Sequence, residues 1–276
     1  MRKISTKSII TAVSKLCIDS NCKANKDLIS LLKKSRQREQ GKAKSVITAI
    51  LKNVEKAARE RIPICQDTGM VVVFLEIGNN VKIDLGSYPS LAGIVQEGVR
   101  KGYKRGYLRK SVVEPLSRVN TGDNTPAIVH EKIVIGENLK IKVLIKGFGA
   151  ENMAKTKMLP PNAKEGEIKK FVLESIRQAS SNPCPPVIVG VGIGGTMEKA
   201  ASLAEEALLE NFENRTKRLE KELLREINKL NIGPAGLGGK TTALAVRIKT
   251  FPTHIAGLPV AVNICCWANR HSEVTL

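Results

Sequence analysis

The sequence predicts a mixed α and β fold of the α/β class, with a helical amino-terminal layer packed on a mixed-sheet part. Two observations lead there. Residues 4–59 place apolar side chains at helical spacing in about three segments, and beyond Pro63 short apolar runs alternate with further helix-period stretches. A chain of 276 residues is long enough to bury a sizeable core, and no long linker, internal repeat or low-complexity tract interrupts it. One domain over 1–276 is therefore expected, with 1–62 helical and 63–276 carrying the sheet.

In the helical part Ile9, Ile10, Val13 and Leu16 share one face, then Leu28, Leu31 and Leu32, then Val46, Ile47, Ile50, Leu51 and Val54. Pro63 stops the pattern. The run MVVVFLEI at 70–77 reads as a strand and 89–104 as a helix. In KIVIGENLKIKVLIKGFG two alternating runs flank a Gly-Glu-Asn turn, which predicts a hairpin. VIVGV at 187–191 reads as a short buried strand, followed by helices at about 197–212 and 213–230, and ALAVRI and LPVAVNI as two more strands.

Composition excludes several classes. Hydrophobic residues make up 42% and charged residues 26%, ordinary for a globular chain, while aromatics are only 3%. The amino end has one short apolar patch broken by Lys15, so neither a signal peptide nor a membrane span is expected and the protein reads as cytoplasmic. Net charge is +19, and residues 1–61 hold 16 Lys and Arg against five Asp and Glu. A basic nucleic-acid-binding protein with structural cysteines is the reading this suggests from a different class. The lysines and arginines, however, lie among helix-period apolar residues without interleaved aromatics, as on a solvated helix face or a subunit contact. Such a field also attracts a small dianion.

Two glycine motifs invite nucleotide readings. Gly190, Gly192 and Gly195 fit G-x-G-x-x-G, but the region about 20 residues on is a polar helix and not a second strand ending in an acid. Close backbone approach is the simpler reading of these glycines. GPAGLGGKTT at 233–242 resembles a phosphate loop, yet Pro234 occupies the first glycine position and a strand-like run follows. Lys240 and its glycines are left as possible walls of an anionic pocket.

Six cysteines in a reducing compartment read as thiols or metal ligands. Cys65 in PICQDTGM, Cys184 in NPCPP, and Cys265 and Cys266 in NICCWANRH lie at loop edges, where soft ligands for iron or an iron–sulfur cluster would be placed. Their polar neighbours Gln66, Asp67, Asn269, Arg270 and His271 suit the surroundings of an anionic ligand. Cys17 and Cys22 read as structural.

PICQDTG, VNTGDNTPA, KGFGAENMAKTKML, NPCPPVIVGVGIGGT, GPAGLGGKTTAL and THIAGLPVAVNICCWANRH resemble, in order, the blocks of the alpha subunit or amino-terminal domain of class I iron–sulfur hydro-lyases. That family contains class I fumarate hydratase and L(+)-tartrate dehydratase, and the blocks span about residues 62–271. The resemblance implies a [4Fe-4S] cluster held by Cys65, Cys184 and, counted from PVAV, Cys266, with Cys265 the rival. One iron left open acts as a Lewis acid on a hydroxyl or water.

The resemblance also implies that Gln66 and Asp67 face substrate, with Asp67 handling a proton or orienting the oxygen. Arg109 in YLRKS is the expected carboxylate clamp. Gly149 would offer a backbone amide, and His254 would bind a carboxylate or orient its partner. The chain reaches Leu276 soon after the last cysteine block, whereas fused members continue into a second domain. A beta subunit is therefore expected to complete the site, in a higher oligomer of αβ units acting on a small dicarboxylate, fumarate before tartrate. No nucleic-acid or membrane partner is expected.

Overall fold

The computed structural model describes residues 2–212 and 214–276. The chain divides into two compact units: the first comprises the chain up to Ala24, Val54–Gly147 and Arg270–Leu276, the second Asn25–Asn53 and Phe148–Asn269. The expected helical segments are present as α1 (Thr6–Cys22), α2 (Lys26–Arg38) and α3 (Gly41–Glu60). Helix α1 belongs to the first unit, α2 to the second, and α3 contributes to both.

In the first unit, β1 (Arg2–Ile4) pairs in parallel with β3 (Val81–Ile83). The main sheet contains β2 (Met70–Gly78), β4 (Ile128–Val134), β5 (Leu139–Lys146) and β10 (Arg270–Thr275), in the order β10-β5-β2-β4. Helix α4 (Leu91–Arg105) connects β2 to β4, which run parallel, and β5 returns antiparallel on the other side of β2. Here the expected hairpin fails: β4 and β5 are consecutive but never pair, because β2 lies between them. Its apolar run is buried along both faces from Val71 to Leu75, so it takes the centre, while β4, exposed at Ile128 and Ile133, takes the edge.

One face of this sheet carries Val71, Val73, Leu75, Ile141, Val143 and Ile145, packed with Ile9 and Val13 of α1 and Ile94 and Val99 of α4. The Ser5 hydroxyl accepts from the Ser8 amide and the Ser90 hydroxyl from the Gly93 amide, so each helix starts on a side-chain cap. The helices meet where a Cβ on Gly98 would lie 2.6 Å from Val13 Cβ. Only a residue without a side chain admits that spacing.

The second unit holds β6 (Lys155–Leu159), β7 (Val187–Gly194), β8 (Ala243–Phe251) and β9 (Leu258–Cys265), in the order β6-β9-β7-β8. Strand β7 is central, parallel to β8 and antiparallel to β9. Its alternation sorts the layers. Val189 and Val191 face Val172 and Ile176 of α6 (Glu165–Ala179) and Leu223 and Ile227 of α8 (Arg218–Asn228). Gly190 and Gly192 face α7 (Met197–Ala207). The four-residue α5 (Phe148–Glu151) packs on β9. Helices α7 and α8 are shorter than the expected 197–212 and 213–230; Lys217 begins α8 through a capping box with Glu220, and Glu213 lies outside the described residues.

Candidate active site

Both glycine motifs prove structural. A Cβ on Gly190 would stand 2.1 Å from the carbonyl oxygen of Ala204, and one on Gly192 1.9 Å from that of Ala200. The space a pyrophosphate would need is filled by α7, whose first turn is capped by the Thr196 hydroxyl. After the second motif comes β8 and not a helix. The amide of Lys240 is engaged by the Glu39 carboxylate at 3.0 Å, and Glu39 is buried, so an acidic side chain occupies the place expected for an anion.

The residues singled out by sequence fall into two sets. Cys65, Gln66, Asp67 and Arg109 belong to the first unit, Gly149, Cys184, His254 and Cys266 to the second. In the first, residues 64–69 form an irregular segment leading directly into the central strand β2, and buried donors hold its carbonyls one after another. An Arg270 guanidinium nitrogen donates to the Asp67 carbonyl at 2.6 Å, the Tyr103 hydroxyl to that of Thr68 at 2.6 Å, and the Asn124 amide to that of Gly69 at 3.1 Å. At the other end the Ile64 amide donates to the Asn21 carbonyl at 2.8 Å. A segment with buried main chain requires such partners.

Between these anchors Gln66 is exposed, and Cys65 and Asp67 are half-buried. The Cys65 thiol donates to Gln66 Oε1 at 3.4 Å, and Asp67 Oδ1 accepts from the Gly69 amide at 2.9 Å, closing an Asx turn. Thr68 points inward and its hydroxyl donates to the Arg109 carbonyl at 2.6 Å, which ties the Arg109 loop to this segment. The Arg109 side chain itself is exposed. The Tyr103 phenol, displaced upward in pKa chiefly by burial, stays a protonated donor.

In the second unit Cys184 is exposed between the buried Pro183 and Pro185. Its φ of 53° lies in the left-handed region, uncommon for a residue with a side chain and costing about 1–3 kcal/mol. Two hydrogen bonds fix it there: its amide donates to the Ser181 carbonyl at 3.1 Å, and the Ala235 amide to the Pro185 carbonyl at 2.7 Å. Cys265 ends β9 in the core, 2% exposed, whereas Cys266 just past the strand is half-buried. Gly149 is exposed in α5, and His254 is exposed in a turn where its Nδ1 accepts from the Ala256 amide at 3.2 Å.

None of the six cysteines is in a disulfide. Cys17 and Cys22 are buried in the first unit, and burial pushes the Cys17 thiol up to about 12. The thiols that remain accessible are Cys65, Cys184 and Cys266. An iron–sulfur cluster needs soft donors that can lose a proton and be reached, and these three fit it in chemistry and exposure. Among the described residues, no three His, Cys, Asp or Glu side chains within either unit group as a metal set.

The profile of the fumarate hydratase (Fumerase) family matches residues 10–275. The chain belongs to this family. It is a hydro-lyase. Relatives of the family enzyme include a Methanocaldococcus jannaschii protein named "Putative L(+)-tartrate dehydratase subunit alpha", 40% identical over 257 residues, covering 89% of this chain and 90% of the relative. The L(+)-tartrate dehydratase subunit alpha of Escherichia coli is 33% identical over 258 residues, covering 90% of this chain and 84% of the relative, and that of Shigella sonnei is similar to the same extent. No helix among the described residues is long and apolar enough to cross a membrane.

The sequence marked Asn269 and Arg270 as neighbours of an anionic ligand, yet both are 1% exposed and bonded to protein: the Asn269 amide donates to the Leu208 carbonyl at 3.2 Å, and Arg270 serves Asp67 and Asn21. Tyr103, Asn124 and Asn21 went unmarked because each acts on main-chain atoms, which leaves no local pattern.

Proposed function

We propose that the chain is the cluster-bearing alpha subunit of a hydro-lyase that adds water to a four-carbon dicarboxylate, or removes it, with fumarate and malate as the first substrate pair. The observation that supports this reading most directly is the division among the thiols: Cys65, Cys184 and Cys266, the three ligands the resemblance implies, are accessible, whereas Cys17, Cys22 and the rival Cys265 are buried. Cys65, Cys184 and Cys266 would hold a [4Fe-4S] cluster, which when bound supplies an open iron as a Lewis acid.

The other candidates serve the organic substrate. Hydration joins an oxygen to one carbon and a proton to its neighbour, and dehydration removes both. Charge building beside a carboxylate in either direction is eased by fixed cations and donors. Arg109 clamps a substrate carboxylate, Gln66 and the Gly149 amide donate to its oxygens, Asp67 accepts or returns the proton, and His254 orients a carboxylate or its partner. Elimination from tartrate uses the same equipment, and the relatives named as tartrate dehydratase alpha subunits favour that second substrate.

Because those relatives are named subunit alpha, a beta subunit is the partner we assign, supplying the remaining acid or base in a higher oligomer of αβ units. The test is anaerobic iron and sulfide analysis, with fumarate hydration and tartrate dehydration assayed on the chain alone and mixed with its beta partner. About four irons per chain and turnover only in the mixture are expected, and the faster substrate names the enzyme. No cluster and no turnover after anaerobic reconstitution with a competent partner would overturn the reading.

A further inference from the structure

We propose that Arg270 is a positioning residue for Asp67, an inference that rests on the reading of Asp67 given above. Arg270 opens β10 opposite Ile145 of β5 and is 1% exposed, first among the largest fully buried side chains. Burying a guanidinium costs several kcal/mol unless its protons are well engaged. Its bonds here go toward the candidate site. One terminal nitrogen donates both to Asn21 Oδ1 at 3.0 Å and to the Asp67 carbonyl at 2.6 Å. Asn21 in turn holds the Ile64 amide through its own carbonyl, so a single side chain links both ends of the segment that displays Cys65 and Gln66.

The second terminal nitrogen and the Asp67 side chain both lie beside Gly147. A Cβ built on Gly147 would lie 3.2 Å from that nitrogen and 3.3 Å from Asp67 Oδ2, so the two groups border one gap, kept open by the missing side chain of Gly147. With Oδ1 already engaged by the Gly69 amide, the Asx turn, the grip of Arg270 on the main chain, and the gap at Gly147 all bear on the carboxylate plane. Arginine suits this place because its planar fork serves two acceptors while presenting a second nitrogen; a lysine ammonium lacks that fixed fork.

The test uses the assembled enzyme with its beta partner and compares Gly147→Ala, Arg270→Lys and Asp67→Asn, together with amide hydrogen exchange on each variant chain alone. Gly147→Ala forces the bordering groups to give by a few tenths of an ångström. We expect its kcat to fall about 10-fold, with KM within about twofold and an unchanged melting temperature, since sub-ångström misplacement of a reacting group is costly. Arg270→Lys should lower kcat by about 100-fold and raise exchange at residues 66–69 selectively. If Asp67→Asn is inactive while the other two keep kcat within about twofold, the positioning role is overturned. A loss in Arg270→Lys that merely tracks the folded fraction also overturns it, and Gly147→Ala decides the matter if that variant fails to fold. Full activity in Asp67→Asn would instead sink the assignment of Asp67.

Discussion

The Thr68 hydroxyl donates to the Arg109 carbonyl at 2.6 Å across 41 residues of sequence, joining the segment that shows Gln66 and Asp67 to the loop that carries the expected carboxylate clamp. A valine at 68 keeps the shape and removes the bond. Thr68→Val is expected to cost about 1 kcal/mol, to lower the melting temperature by a few degrees, and to raise KM for the dicarboxylate several-fold with a smaller change in kcat. Calorimetry and steady-state kinetics on the assembled enzyme check both halves.

Thiol accessibility divides the cysteines into two classes. In the cluster-free native chain, Cys65, Cys184 and Cys266 should react promptly with an aromatic disulfide reagent, and Cys17, Cys22 and Cys265 only after denaturation. Burial raises the thiol pKa of Cys17 and Cys22, which slows them further by keeping thiolate scarce. Mass mapping of the labelled sites reads the result directly.

The adjacent pair can be separated by substitution. Cys266→Ser should abolish retention of iron and sulfide after anaerobic reconstitution. Cys265→Ser should keep the cluster but lower stability by about 1–3 kcal/mol, because it places a hydroxyl at the buried end of β9. Equal iron loss in both would make Cys265 a ligand.

Gly192→Ala tests the structural reading of the glycine motif. The added carbon would stand 1.9 Å from the Ala200 carbonyl oxygen, so α7 must move off β7 as a body. Destabilisation at or above about 3 kcal/mol is expected, read as a lower denaturant midpoint, with no change in binding of any dinucleotide.

Acid sensitivity follows from the surface cluster of the half-buried Glu165, Lys169 and Glu222 with the exposed Arg218. The Arg218 guanidinium, and after it the Lys169 ammonium, hold the Glu165 carboxyl down at about 2 against an ordinary 4.5. A depressed carboxyl stabilises the fold above its unfolded value and loses that contribution as pH falls toward the folded one. The melting-temperature difference between wild type and Glu165→Gln should therefore be largest above pH 4.5, fade as pH falls through about 2, and shrink in high salt.

What could be read from the chain follows the range of the forces involved. Helices α1 to α3 and strands β2, β7, β8 and β9 carry dense apolar periodicity and were legible from it. The hairpin misreading shows the limit: alternation in β4 and β5 marks two strands but says nothing of partners, and β2, some 50 residues earlier in sequence, pairs with both. Strands β6 and β10, KTKML and RHSEVT, lack an apolar run and went unseen. Helix α6 did leave a signal, Ile168, Val172 and Ile176 at intervals of four, diluted by the charges around it. At the candidate site the motif residues stood out, whereas the brace behind them, built from Asn21, Tyr103, Asn124 and Arg270, is assembled only by folding.

Strand β10 gives the first unit an unusual order of completion. As the chain leaves a ribosome, α1, α4 and strands β2, β4 and β5 emerge early, but the strand that pairs with β5 is made only after all of residues 148–269. The second unit can finish its own sheet while the first still waits with the outer edge of β5 open. Arg270 arrives with that late strand, so the Cys65–Gly69 segment gains its buried clamp only after the whole second unit has been made. A nonsense change within the codons for residues 270–276 would thus damage the core of the first unit and the display of Cys65.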